Sequence, residues 1–278
     1  MKTKSNELNE FNNKVADKTT NAILTLLAFI SLNSCVTPHY YYMPNSQNVP
    51  LFREKGEVRA LAVTGAGDFS TSTEIQTACA ITNKIGVMAN YMKKKSGNVQ
   101  TRDGASGKYI EGAVGLFKPL DKHVVLEIYG GMGSGRQHDE YSDYDKIYLG
   151  YSNQRFNKFF LQPSIGFTSK AFDIAFSTRV CKLFFTAIEN KINTFNHHGS
   201  ASEYSFDLNK LARNKESNLF ESALTLRGGW KYVKVQLQLV YSGSDQMQDY
   251  LYEHFNMNLG LYIAIAKRYC TANSAKIN

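Results

Sequence analysis

The sequence predicts an all-β fold, a single antiparallel up-and-down barrel of about ten strands. Three observations predict it. Apolar and polar residues alternate with period two in segment after segment from Glu57 onward; the links between these segments are short on one side and long on the other; and Tyr (17) and Phe (17) are plentiful while Pro (5) is scarce.

The first element is not part of the barrel. Ala22–Leu32 is an apolar run preceded by Lys14 and Lys18. It is too short for a spanning helix, which needs roughly 20 residues, and it has the length of a secretory h-region. The run ends in "LNSC", which resembles a bacterial lipobox, with Leu32 at minus three, Ser34 at minus one and Cys35 as the residue whose thiol takes the lipid. Residues 1–34 are therefore expected to be a lipoprotein signal peptide and Cys35 the lipidation site. Residues 35–56 carry Pro38, Pro44 and Pro50 among Asn45, Ser46 and Asn48, and read as a lipidated flexible tether. Residues 57–278 are expected to form the barrel domain.

Alternation places strands at about 57–66, 71–82, 85–95, 108–118, 123–134, 147–168, 171–184, 219–228, 232–243 and 254–267. In "YVKVQLQLVYS" Val233, Val235, Leu237, Leu239 and Tyr241 share one face, while Lys234, Gln236, Gln238 and Ser242 share the other. Short links fall at 82–85, 118–123, 168–171 and 227–232, and longer ones at 96–107, 135–146, 185–218 and 244–253. Only the first hairpin, turning near "GAGDFS", is short on the side where the others are long. This asymmetry, with an even strand number and one apolar face, is the signature of an outer-membrane barrel. Tyr91, Tyr241 and Phe255 fall toward the long loops and Phe167, Phe172 and Trp230 toward the short turns, as two interfacial girdles would.

The opposite faces carry Arg59, Glu74, Glu111, Glu127, Asp173, Arg179, Glu221, Arg227 and Lys234. Across a narrow lumen such groups must pair or keep water, so they are expected to form a polar network filling the interior. An even number of strands puts both ends of the barrel wall on the short-turn side. With a flexible tether, the anchor is then expected in the periplasmic leaflet of the bacterial outer membrane.

Two segments carry a family resemblance. Pro44, Asn45, Asn48, Pro50, Leu51 and Glu54–Glu57 in "PNSQNVPLFREKGE", and Gly86, Val87 and Asn90 in "GVMAN", are similar to the opening of outer-membrane β-barrel-type lipoproteins of Bacteroidota-type bacteria. The resemblance implies a location and a fold, with no catalytic residues to carry over.

Signals for chemistry are sparse. The net charge of +8 is diffuse, "MKKK" at Met92–Lys95 is the one dense basic cluster, and no nucleic-acid motif accompanies it, so no nucleic-acid partner is expected. Beyond Cys35, the cysteines Cys79, Cys181 and Cys270 form no CxxC pair, and neither a metal site nor a cofactor is expected. "GGMGSG" at Gly130–Gly135 lacks the GK[ST] ending of a phosphate loop, and is read as a place where a strand bends or thins. "SFDLNKLARNKES" at Ser205–Ser217 has Leu208 and Leu211 at helical spacing, predicting a short helix over the barrel mouth with Ser205 as its cap.

The function expected is that of a non-enzymatic, lipid-anchored outer-membrane barrel, monomeric, in contact with outer-membrane lipid and meeting glycan or protein through its Tyr-rich long loops. One alternative is a periplasm-facing, lipocalin-like soluble barrel with an apolar ligand inside. Another is a barrel-rim hydrolase using His138, Asp139, His197 or His198.

Overall fold

The computed structural model describes residues 40–98, 103–143, 145–193, 200–244 and 252–266. Cys35, Cys270, His39, His197 and His198 lie outside the described residues. Ten strands are present: β1 (Val58–Gly67), β2 (Ser70–Ala80), β3 (Ile85–Asn98), β4 (Asp103–Pro119), β5 (Val124–Ser142), β6 (Tyr148–Thr168), β7 (Phe172–Ile192), β8 (Glu216–Gly229), β9 (Val233–Ser244) and β10 (Phe255–Ile265). Each pairs antiparallel with its chain neighbours, and β1 pairs with β10 from Val58↔Ile265 to Gly67↔Asn256, so the sheet closes as an up-and-down barrel. Closure leaves no edge of unpaired backbone groups.

Alternation sets the two surfaces. Along β2, and along β9 as far as Ser242, burial alternates: Glu74, Gln76, Gln236 and Gln238 are buried inside, while Ile75 and Val235 point outward, more than half exposed. The outside carries apolar side chains on every strand, including Val58, Ile75, Ile85, Ile110, Ile128, Phe159, Phe176, Leu224, Val235 and Leu259. The aromatic residues of both expected girdles are on this outer surface, with Trp230 the most exposed at 79%.

Three strands run well beyond their expected ends. β4 begins at Asp103, β5 continues to Ser142 and β7 to Ile192, so most of two expected long loops is strand. The physical reason is that past the apolar belt both faces of a hairpin meet polar surroundings. Hydrophobic alternation then fades while the backbone ladder continues.

The helix α1 (Ser200–Arg213) starts earlier than expected. Ser205 is therefore inside it rather than at its cap, and its Oγ accepts from Asn190 Nδ2 at 3.2 Å. Leu208 and Leu211 are fully buried in one cluster with Tyr41, Tyr42, Tyr141 and Leu149, which seats the helix over the long-loop mouth.

The largest departure is in residues 40–56. They are not a solvated tether, because every residue from Tyr41 to Phe52 is buried. The segment passes lengthwise through the lumen. At one end Tyr40 meets Phe69 of the β1–β2 turn, and Tyr42 bridges Tyr252 ahead of β10, both on the long-loop side. At the other end Gly56 N donates to Ala80 O at 2.8 Å, where β2 reaches a short turn. Composition suited to a solvated linker is equally suited to a lumen lined by polar side chains. Wall side chains meet its backbone there, Glu74, Gln238 and Glu127 accepting from the amides of Ser46, Gln47, Leu51 and Phe52.

Candidate functional site

The occupied lumen is the candidate site, built in three levels. Its centre is a charge cluster. Arg179 on β7 donates to Gln162 Oε1 (2.8 and 3.0 Å) and Asn45 Oδ1 (3.0 Å), and lies 3.2 Å from Glu111 and 3.6 Å from Glu221. Lys158 on β6 reaches Tyr42 Oη (3.0 Å), Asn45 Oδ1 (3.1 Å) and Glu111 (3.5 Å). Two cations and two carboxylates thus balance, with Asn45 of the threaded segment between them. Aromatic faces complete the shell, with Arg179 over Phe160 at 4.5 Å and Lys158 over Tyr109 at 4.9 Å.

On the short-turn side, Lys234 donates to Asp173 at 2.6 Å, and Arg227 lies 3.9 Å from the same carboxylate. Arg227 also donates to Val49 O (2.7 Å) and stacks 4.0 Å from the Tyr262 ring. Arg59 pairs with Glu57 and donates to Pro50 O at 3.1 Å. Glu127 accepts from two successive segment amides, Leu51 N at 3.1 Å and Phe52 N at 2.9 Å. Leu51 has φ +53°, a left-handed conformation costing about 1 kcal/mol for a residue with a Cβ. The two amides converge on one carboxylate because of that turn.

Toward the long loops, Glu74 accepts from Ser46 N (3.0 Å) and Ser46 Oγ (2.6 Å), and Gln238 exchanges bonds with both backbone groups of Gln47 (2.7 and 2.8 Å). At the rim Glu253 accepts from Ser70 Oγ at 2.8 Å, and burial raises its carboxyl above the usual range.

All nine expected network residues, Arg59, Glu74, Glu111, Glu127, Asp173, Arg179, Glu221, Arg227 and Lys234, are buried in the lumen. Glu111, Arg179 and Glu221 come together at the centre and Asp173, Arg227 and Lys234 below it, whereas Glu74 and Glu127 are used separately to hold the segment. Sequence reading missed Lys158, which sits between inward Phe156 and Phe160 and so interrupts an apolar face. It also missed the segment itself.

The wall is shaped for that segment. A Cβ on Gly166 would lie 2.6 Å from Leu51 Cδ2, and one on Gly86 2.9 Å from the Phe52 ring. Asn48 Nδ2 donates to Asn90 Oδ1 at 2.8 Å. Gly86 and Asn90 of "GVMAN" therefore touch Phe52 and Asn48 of "PNSQNVPLF", so the two resembling segments meet inside the barrel. The glycine run on β5 has a related role. Cβ atoms on Gly131, Gly133 and Gly135 would strike Phe160, Tyr109 and Phe156 within 2.2–2.5 Å, so these inward positions accommodate rings lying across the strand.

His138 and Asp139 do not form a pair. Adjacent in β5, they point to opposite sides, His138 outward toward Asn153 at 2.8 Å and Asp139 into the lumen. Among the described residues no group of three His, Cys, Asp or Glu is arranged to hold a metal.

No protein-family model matches the chain, and no curated protein is significantly similar to it. Several solved barrels are similar in outline. The translocator domain of the autotransporter NalP from Neisseria meningitidis aligns at TM-score 0.40 and 8% identity, covering 92% of this chain and 98% of that one. The outer membrane protease OmpT from Escherichia coli aligns at TM-score 0.41 and 10% identity over 76% of this chain and 97% of that one. The N-terminal barrel domain of Pseudomonas aeruginosa OprF gives TM-score 0.32 and 8% identity over 76% and 98%. Likeness at this level supplies no argument about this chain's chemistry.

Proposed function

We propose that the protein is a non-enzymatic outer-membrane barrel sealed by its own N-terminal segment, which it presents with the long loops at the outer face for structural or binding contacts. One observation carries the reading: an outside that is apolar on all ten strands surrounds a polar lumen occupied by residues 41–52.

Water on every side of Ile110 (59% exposed), Met132 (61%) and Val235 (55%) would face an apolar area far above the few hundred Å² that soluble proteins present. Hydrocarbon removes that cost, and a closed ladder is a strand structure that hydrocarbon tolerates. A lipocalin-like interior would instead be apolar and empty, whereas this one holds Arg179, Lys158 and Arg227. The opposed directions of His138 and Asp139 support the absence of rim hydrolysis by that pair.

The lipid at Cys35 belongs to the same reading. Tyr40, at the long-loop mouth, begins the segment that the barrel presents at the outer face.

The test combines location and conductance. Wild type and Cys35→Ala should both remain in carbonate-washed outer membranes and shift in gel mobility on heating. An epitope inserted after Thr37 should be accessible on intact cells. Purified wild type should leave a planar bilayer insulating, while deletion of residues 40–52 should give open channels. A folded, soluble Cys35→Ala protein would overturn the membrane reading. Steady conductance of wild type would overturn the seal, and an inaccessible epitope the outer-face placement.

A further inference from the structure

Outside the barrel, four basic side chains stand in one cross-strand row. Lys93 is directly opposite Lys108, Lys108 opposite Arg136, and Arg136 opposite Arg155, on β3, β4, β5 and β6. All four point outward and are exposed. Like charges directly opposite across strands are destabilising, with Cβ atoms only about 4.5–5.5 Å apart. Among the described residues none of the four has a carboxylate within ion-pair distance. The nearby acids stand apart from the row, Glu140 3.8 Å from His138 Nε2 and Glu189 accepting from Asn153 Nδ2 at 2.7 Å. By contrast Lys182 on β7, opposite Phe159 and so nearer the short turns, has Glu216 at 2.9 Å. The row is therefore a local concentration of uncompensated charge on one side of the barrel.

The surface beneath it has a matching shape. The basic residues line a groove of about 740 Å³. Two positions down each of the same strands, toward the short turns, are Tyr91, Ile110, Ser134 and Asn157, which line a second groove of about 650 Å³. Its walls are Ile75, Tyr91, Ile110, Met132 and Phe159, and small outward residues such as Ala89 and Gly112 leave room between them. The apolar channel thus runs along the barrel wall into a bed of cations at the long-loop end of the belt.

We propose that these grooves bind one phosphorylated membrane lipid, its acyl chains along Tyr91, Ile110, Met132 and Phe159 and its headgroup phosphates on Lys93, Lys108, Arg136 and Arg155. The inference rests on the reading that the outside of the barrel faces lipid. Charge complementarity selects the headgroup, since guanidinium forks bind phosphate oxygens in pairs and ammonium groups bind them as point charges. The adjoining apolar groove selects a lipid over free phosphate.

The test uses the full-length protein purified in neutral detergent. Native mass spectrometry measures retention of a bisphosphorylated, multiply acylated glucosamine disaccharide, its enzymatically dephosphorylated form, and inorganic phosphate. Wild type should retain the phosphorylated lipid. The variant Lys93→Gln/Lys108→Gln/Arg136→Gln/Arg155→Gln should lose retention by at least about tenfold, because several charge-assisted bonds go at once. A control with the same charge loss at the short-turn end, Lys84→Gln/Lys118→Gln/Lys122→Gln/Lys170→Gln, should retain it, and Gly112→Leu should weaken retention by obstructing the acyl groove. Equal retention by the basic-row variant, equal retention of the dephosphorylated lipid, or displacement by equimolar inorganic phosphate would each overturn the proposal. Heat-dependent gel mobility is read on every variant, so that misfolding or a failure of the membrane reading is seen separately from a failure to bind.

Discussion

Replacement of Arg179 by Met tests whether the lumen is as dry and as full as its hydrogen bonds imply. The central cluster balances Arg179 and Lys158 against Glu111 and Glu221, all with side chains no more than 1% exposed. Met fills much of the volume but removes the charge, leaving two carboxylates with one cation and Gln162 Oε1 and Asn45 Oδ1 each short of a donor. Breaking a buried, hydrogen-bonded ion pair from one side costs about 3–5 kcal/mol, more than two powers of ten in the folding equilibrium. Lys182→Met is the reference. It removes a cation from a half-exposed pair with Glu216 at 2.9 Å, for which less than about 1 kcal/mol is expected. The assay is urea unfolding of protein refolded into lipid vesicles, with heat-modifiable gel mobility marking the folded fraction. Adding Glu221→Gln to Arg179→Met restores neutrality and should recover part of the loss. If Arg179→Met costs no more than Lys182→Met, water screens the cluster and the threaded segment is not seated as described.

Three further outcomes are expected. Asn48→Cys with Asn90→Cys, in a chain lacking its four native cysteines, should form a disulfide that tethers the segment to β3, seen as a reductant-sensitive shift on a gel; these side chains meet at 2.8 Å. Gly86→Leu should expel the Phe52 ring and cost about 1–3 kcal/mol by overpacking, and it should raise bilayer conductance if the seal loosens while the wall survives. Trp230, the single tryptophan, lies at a short-turn end, so its fluorescence should be quenched more by lipids brominated near the headgroup than by lipids brominated at the chain ends.

What the sequence reveals, and what it hides, follows from which surfaces differ. Val233–Ser242 shows its strand plainly because one face meets apolar surroundings and the other polar ones. His138–Ser142 does not, since beyond the belt that contrast vanishes although the ladder continues opposite Asn153–Tyr148. Charged inward residues such as Arg179 and Glu221 stand out against their apolar neighbours, while Lys158 is concealed by Phe156 and Phe160. The threaded segment is the least legible part. Asn45, Ser46, Gln47 and Asn48 have no periodicity, and only side chains far along the chain, Glu111, Glu74, Gln238 and Asn90, turn them from linker into filling.

The closed seam between β1 and β10 makes the threaded segment a topological matter as well as an energetic one. Residues 40–56 precede β1, so they are made before the strand that completes the ring around them. With the ring shut, they can leave only lengthwise, like an axle through a hub. A bulky group on the outer end would act as a stopper against withdrawal through the lumen. Such a molecule would hold its N-terminal segment mechanically, and pulling on that end would load the wall hydrogen bonds together instead of peeling them singly.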